Sequence, residues 1–199
     1  MNLFNQWSST KKFSDRPVER ETLEEVFEDT TKAPTAFNLQ PYSFKVLESE
    51  QAFQKAKDSL VPGNEWVLDA DKIVLLVGDE RIDTNLDEAL EDMLERDLVN
   101  EKEAEEYRDR ISGYPERSDE FKHKWLTRNT MIPATFFMLS CIDYDIGCCP
   151  VKGFSTDKLE EGLELEDWER PQLMIPIGYP EEKSERTWRR NSEDIFDLI

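Results

Sequence analysis

Histidine occurs once in this chain of 199 residues, as His123. A Ser-His-Asp or Cys-His machine would have to run through it, and it sits in "DEFKHKWL", a charged helical stretch that places it on the surface. Cysteine occurs three times, at Cys141, Cys148 and Cys149. The number is odd, two are adjacent and there is no Cys-x-x-Cys pair, which excludes a disulfide framework and leaves a zinc site without ligands. No G-x-S-x-G or P-loop motif is present. Long apolar runs are missing too: "IVLLVG" and "MIPATFFML" are far too short to span a bilayer. The opening "MNLFNQWSSTKK" lacks the basic-then-apolar order of a signal peptide. The expectation is a soluble cytoplasmic protein without a metal, whose chemistry, if it has any, comes from a cofactor.

Cations are the next shortage. There are 25 Lys and Arg against 45 Asp and Glu, a net charge of −20. Phosphate contacts need clustered Lys and Arg, so nucleic acid and anionic membrane surfaces are excluded as partners. The acid is spread along the chain, not gathered in a tail. Two explanations stay open: a solvated, self-repelling surface, or a halophilic adaptation to a salty cytoplasm that screens the repulsion. With 38% hydrophobic and 35% charged residues, the chain can build one domain around a lean core.

What is there organises that domain. "LFNQWSSTKKF" predicts a short opening helix, and "SDRPVERETLEEVFEDTTKA" a second, with Leu23, Val26 and Phe27 on one face and Pro34 beyond its end. "YSFKVLES" alternates like a half-buried strand. "SEQAFQKAKDSLV" predicts a helix capped by Ser49, and "KIVLLVGD" a strand buried on both faces. Residues 85–112 predict one acidic helix with Leu86, Leu90 and Leu94 as its stripe. Residues 119–145 predict another, kinked at Pro133 and stopped by Gly147. Its second half, "MIPATFFMLSC", is apolar on all sides and belongs in a core or against another subunit. A turn at "CCPVKGF", an acidic helix at "TDKLEEGLEL", a strand at "QLMIPIGYP" and a tail with Arg186, Arg189 and Arg190 complete one α+β domain.

Four segments are candidates for chemistry, each with an ordinary alternative. "SSTKKF" (8–13) has hydroxyls and cations to hold an anion, or is a solvated helix end. "KAPTAFNLQPYSFKVLES" (32–49) carries neutral Thr35, Asn38 and Gln40 between two prolines, or is only a helix-to-strand loop. In "CCPVKGF", Pro150 and Gly153 constrain a turn whose amides could face a ligand, or it is a plain turn. Arg189 and Arg190 could bind an anion or make tail salt bridges.

In this order and spacing the four segments resemble the nitroreductase family of FMN flavoproteins. The family's basic-Ser-x-[Arg/Lys]-x-aromatic motif is matched by "SSTKKF", its "P-V" pair by Pro17-Val18, and its "AP-S-S-x-N-x-QPW" by "APTAFNLQPY". "PVKGF", "IPIGYP" and "WRRNSED" match the later motifs, so the resemblance covers essentially the whole chain. It implies an α-β sandwich with a mostly antiparallel sheet wrapped by helices, in an intertwined homodimer. Residues 1–199 would form one domain, with 85–125 a helical excursion near the active-site mouth and 180–199 a tail crossing to the partner. FMN would be held by Ser8, Ser9, Lys11, Pro34, Thr35, Asn38, Asn64, Pro150, Val151, Gly153, Arg189 and Arg190. Pro34 and Thr35 would reach it from the partner subunit, while Asn38 and Gln40 either meet the flavin or hold the loop. Gly153 would offer its N–H towards flavin N5, Lys11 would lie by the pyrimidine side, and no side chain would be catalytic.

The implied activity is ping-pong hydride transfer from NAD(P)H, through FMN, to a small-molecule electron acceptor such as a nitroaromatic or quinone. Alternatives are a flavin store or sensor without turnover, or dehalogenation, oxidation or flavin fragmentation on the same fold. The sequence departs from the family at Trp7 and Ser8, where Arg or His is usual, at Thr35-Ala36 for Ser-Ser, at Tyr42 for Trp, and at Lys152, where an acidic or apolar residue is common. Cys148 and Cys149 read as small fillers.

Overall fold

A computed structural model describes residues 3–182 and 184–198. Of the expected domain, Met1 and Asn2 lie outside the described residues, as do Lys183 and Ile199 of the expected tail. The apolar run Lys72–Asp79 forms β2, and its six inner residues are buried. Such a strand must sit mid-sheet with both faces covered. It pairs antiparallel with β1 (Tyr42–Leu47), Tyr42 opposite Gly78, and with β4 (Glu169–Gly178), Lys72 opposite Ile177. The two-residue β3 (Gly147–Cys148) pairs with the other side of β4. The order is β1-β2-β4-β3, every pairing antiparallel. The register slips between Leu76 and Val77, where Pro171 faces Val77; proline donates no ladder bond and is tolerated at such a break.

Strand alternation sorts the core into two layers. Val74, Leu76, Leu173 and Ile175 pack with Leu23 and Val26 of α1 (Arg20–Thr30) and with Phe137 and Cys141 of α5 (Asp119–Asp143). The rings of Phe27, Phe44 and Phe137 meet there at centroid distances of 5.2–5.4 Å. Ile73, Leu75, Val77 and Met174 pack with Ala56 of α2 (Glu50–Ser59) and Leu159 of α6 (Thr156–Gly162). Ser49 caps α2, accepting from the Ala52 N–H. The fold is therefore the expected α+β sandwich. Among the described residues no helix is long and apolar enough to cross a membrane.

A third cluster stands off the sheet. Leu86 and Leu90 of α3 (Leu86–Glu95) and Ala104 and Ile111 of α4 (Glu101–Ile111) close over Leu39, Ile82 and Leu126. The acidic stretch 85–112 is thus two helices, not one. Asp97 turns the chain at φ 51°, and Asn100 starts α4 with a capping box on Glu103.

Other expectations are corrected. The opening helix is one 3-10 turn, Leu3–Asn5, because residues beyond it are drawn out along β3 and the end of β4. The second helix starts only at Arg20, because the buried Val18 gives its N–H to the Asp71 carboxylate. α5 continues through Pro133 to Asp143, and its stop is Asp145, not Gly147. Asp145 takes φ 58°, and the bonds Ile146 N–H to Cys141 carbonyl (2.8 Å) and Asp145 N–H to Ile142 carbonyl (3.1 Å) close a Schellman turn. Gly147 instead admits Thr10: a Cβ at 147 would lie 2.5 Å from Thr10 Oγ1. Left-handed backbone recurs at Phe37, Asn38, Gln40, Ile82 and Glu164, with Gly63 the one glycine there among the described residues.

Candidate active site

Residues 8–13 run extended. The Thr10 N–H donates to the Cys148 carbonyl (3.1 Å), and Phe13 pairs with Pro180. Extended backbone leaves Ser9 and Lys11 exposed on either side of the buried Thr10. Both act on Cys149: burial pushes its thiol up, while the Ser9 hydroxyl and the Lys11 charge oppose this, and burial prevails. Lys11 Nζ sits 5.1 Å from the centroid of the Trp66 ring, a cation–π contact.

The turn after β3 is clamped at both ends. Val151 exchanges both backbone bonds with Met174, at 2.7 and 3.0 Å. The Gly153 carbonyl accepts from the Val61 N–H (2.9 Å) and from Asn64 Nδ2 (3.2 Å). A Cβ at 153 would lie 2.1 Å from Asn64 Nδ2 and 2.8 Å from Val61 Cγ2, so only glycine allows this approach. The Gly153 N–H meets no acceptor among the described residues. Ser9 and Lys11, Asn64 and Trp66, and the turn from Cys149 to Gly153 are therefore linked into one region. Trp66 is a member that sequence reasoning misses, since an aromatic two residues beyond Asn64 carries no signal by itself.

The candidates of the 34–40 loop and of the tail are not joined to this region. In the loop before β1, Thr35 Oγ1 accepts from the Gln40 N–H (3.0 Å), and Gln40 Nε2 donates to Asn38 Oδ1 (3.2 Å). The Ala36 N–H donates to Asn129 Oδ1 (2.8 Å), and Asn85 Nδ2 donates to the Leu39 carbonyl (3.0 Å). Much of the loop's neutral polarity thus holds the strained backbone at Phe37, Asn38 and Gln40 in place. Pro34 is exposed, and among the described residues no hydrogen bond joins this loop to Lys11, Asn64 or Gly153. Ser8 lines a cavity of about 360 Å³ with Thr10, Gly147 and Glu182. Pro150 is exposed. Arg189 bonds Thr187 Oγ1 (2.6 Å) and Arg190 the Asp194 carbonyl, so both fold back on the tail rather than onto Ser9. The tail leaves β4 beside the Lys12–Glu182 pair (2.7 Å) and then exposes Trp188, Ile195 and Phe196.

Asn129 gives the loop a test of its own. It is 6% exposed and also donates to the Trp125 carbonyl. Asn129→Ala should destabilise the protein by about 1–3 kcal/mol, because the Ala36 N–H loses its acceptor. Chemical denaturation measures this, and a loss below about 0.5 kcal/mol would show that the loop keeps its shape without Asn129.

A small antiparallel sheet covered by helices on both faces, with hydrogen-bond donors and cationic side chains beside its β3 edge, defines an α+β sandwich. The chain belongs to the nitroreductase family, whose model matches residues 5–179, and with it to the oxidoreductases. It is 28% identical over 187 residues to MhqN of Bacillus subtilis, provisionally named an NAD(P)H nitroreductase, covering 93% of this chain and 90% of that one. Its fold matches a provisionally named NAD(P)H:FMN oxidoreductase of Staphylococcus epidermidis at TM-score 0.90, 23% identity, with 99% and 94% of the two chains covered. A provisionally named nitroreductase of Exiguobacterium sibiricum, solved in complex with FMN, matches at TM-score 0.86 and 19% identity, covering 99% and 95%.

Proposed function

We propose that this chain is an FMN-dependent oxidoreductase that takes hydride from NAD(P)H and reduces nitroaromatics, quinones or similar electron-poor acceptors by a ping-pong mechanism. The observation that carries this is the linking of Lys11, Asn64 and the unsatisfied Gly153 N–H in one region. A flavin ring offers carbonyl oxygens and ring nitrogens as acceptors, and the donors assembled here fit it. Bound FMN supplies two-electron hydride chemistry in both directions. The Gly153 N–H would hold it as a hydrogen-bond donor, and Lys11 would supply a positive charge beside it. Ser8, Ser9, Asn64, Pro150 and Val151 shape the same site. Burial pushes the Cys149 thiol up beside it, away from the thiolate. No side chain is required as a general acid or base.

The remaining candidates serve the site through a homodimer. One domain spans residues 1–199, and α3 and α4 close over the 36–40 loop near the site's mouth. The 180–199 tail crosses to the partner and brings Arg189 and Arg190 to the flavin phosphate. Pro34, Thr35 and Asn38 likewise reach the flavin bound by the other copy. The apolar side chains that α5 and the tail leave exposed support this assembly: Ile132 is 38% and Trp188 82% exposed in the single chain. Sedimentation velocity at low micromolar concentration should find a dimer, and a folded, soluble monomer would contradict it. The site is expected to work in the cytoplasm, where NAD(P)H is supplied.

The deciding experiment is the absorption spectrum of the purified protein. It should be yellow, with about one FMN per chain, and should bleach rapidly on addition of NADPH or NADH. A colourless protein would refute the flavin site. Bound flavin that no reduced nucleotide bleaches would make the protein a store or sensor.

A further inference from the structure

In this chain 45 acidic residues face 25 basic ones, and half of the described cations lie on carboxylates. Lys12, Lys45, Lys72, Arg81, Arg108 and Arg170 all lie on carboxylates. Lys152 belongs to the other half. It is exposed and has neither an ion pair nor a side-chain hydrogen bond among the described residues.

Its backbone, by contrast, is fixed on both sides. Val151 is bound to β4 through two hydrogen bonds, and the Gly153 carbonyl is held by Val61 and Asn64. The Phe154 N–H turns back onto the Lys152 carbonyl at 3.0 Å. A long cationic side chain thus stands on a rigid mount, one residue from the free Gly153 N–H. Lys11 is also unpaired with any carboxylate among the described residues and lies over Trp66 in the same region. Two cations without carboxylate partners thus fall in one region of a chain at −20, with Glu65 the acidic residue next to Asn64 and Trp66.

We propose that Lys152 forms an anion-binding subsite of this reductase, selecting substrates that carry a carboxylate or phosphate group. This rests on the flavin-enzyme reading above and extends it to a substrate class. The anionic group can belong to the electron acceptor or to the reduced nucleotide, since both use the same face in a ping-pong cycle. Lys152 itself transfers no proton or hydride; it lowers the free energy of the encounter and of the bound state through one exposed charge pair. Salt should therefore erase the preference, because the Debye length falls to ~3 Å at 1 M.

The test compares the wild type with Lys152→Gln, Lys152→Glu and Lys152→Arg. The first arm is the ratio of kcat/KM for 4-nitrobenzoate over 4-nitrobenzamide at low salt. The second is the ratio for NADPH over NADH. A third, free of turnover, is the Kd of benzoate from perturbation of the flavin spectrum. Lys152→Gln should lower at least one ratio about fivefold, the scale of an exposed charge pair, with the effect in KM; Lys152→Glu should lower it further, and Lys152→Arg should retain it. A fall in the first ratio assigns the anion to the acceptor, and a fall in the second assigns it to the nucleotide phosphate. Both ratios and the benzoate Kd unchanged in a yellow, active Lys152→Glu enzyme would overturn the subsite while leaving the flavin reading intact. A colourless protein that cannot reduce 4-nitrobenzamide would remove both.

Discussion

Lys11→Glu should weaken FMN binding by at least ~2 kcal/mol, about thirtyfold in Kd, the scale of losing a charge-assisted contact and adding repulsion. Lys11 is suited to the role because nothing in its own chain neutralises it: it has no carboxylate partner among the described residues and rests over the Trp66 ring. Its neighbours Ser9 and Asn64 are neutral. Titration of the apoprotein by quenching of flavin fluorescence measures the effect, and circular dichroism checks that the variant is folded. Unchanged FMN affinity would remove Lys11 from the site.

Phe137→Ala should destabilise the protein by about 3–5 kcal/mol, through lost transfer energy and the cavity left behind. Phe137 is 0% exposed and stacks on both Phe27 and Phe44, so one truncation loosens α1, α5 and β1 together. Urea unfolding at fixed protein and FMN concentration is the measurement, since both ligand and partner binding shift the apparent stability. A loss under about 1 kcal/mol would mean that the α1–α5 layer collapses to fill the space.

Elements with a strong local pattern are legible in the amino-acid sequence alone. β2 is a continuous apolar run between polar ends, and α2 begins at a serine whose hydroxyl accepts from the Ala52 N–H. β3 is not legible, because two residues carry no period; the ladder of β4 alone makes it a strand. The stretch 8–13 misleads for the same reason: what extends it is the Cys148 carbonyl and Pro180, far away in the sequence. The split at Asp97 is hidden because the apolar spacing of the acidic stretch carries across it. At the site, the contact of Asn64 with Gly153 depends on a missing Cβ that no spacing rule sees. Family motifs find the parts, but not that among the described residues no hydrogen bond joins the 34–40 loop to Lys11, Asn64 or Gly153.

The left-handed turns have a consequence for the unfolded chain. Phe37, Asn38, Gln40, Ile82, Asp97, Asp145 and Glu164 all occupy the region that glycine enters freely, in a chain with only 7 glycines and 10 prolines. Phe37, Gln40, Ile82 and Glu164 each strain the native state by roughly 1–2 kcal/mol, and Asn38, Asp97 and Asp145 less. Each also removes the extra freedom a glycine would have given the denatured ensemble, worth about 0.4–1 kcal/mol in the opposite direction. Denatured, this chain is therefore less disordered than a glycine-rich chain of the same length. The native strain is unevenly placed, with three of the seven positions within residues 37–40. That loop is where local opening releases the most stored strain, and its amides should exchange with solvent well before those of β2.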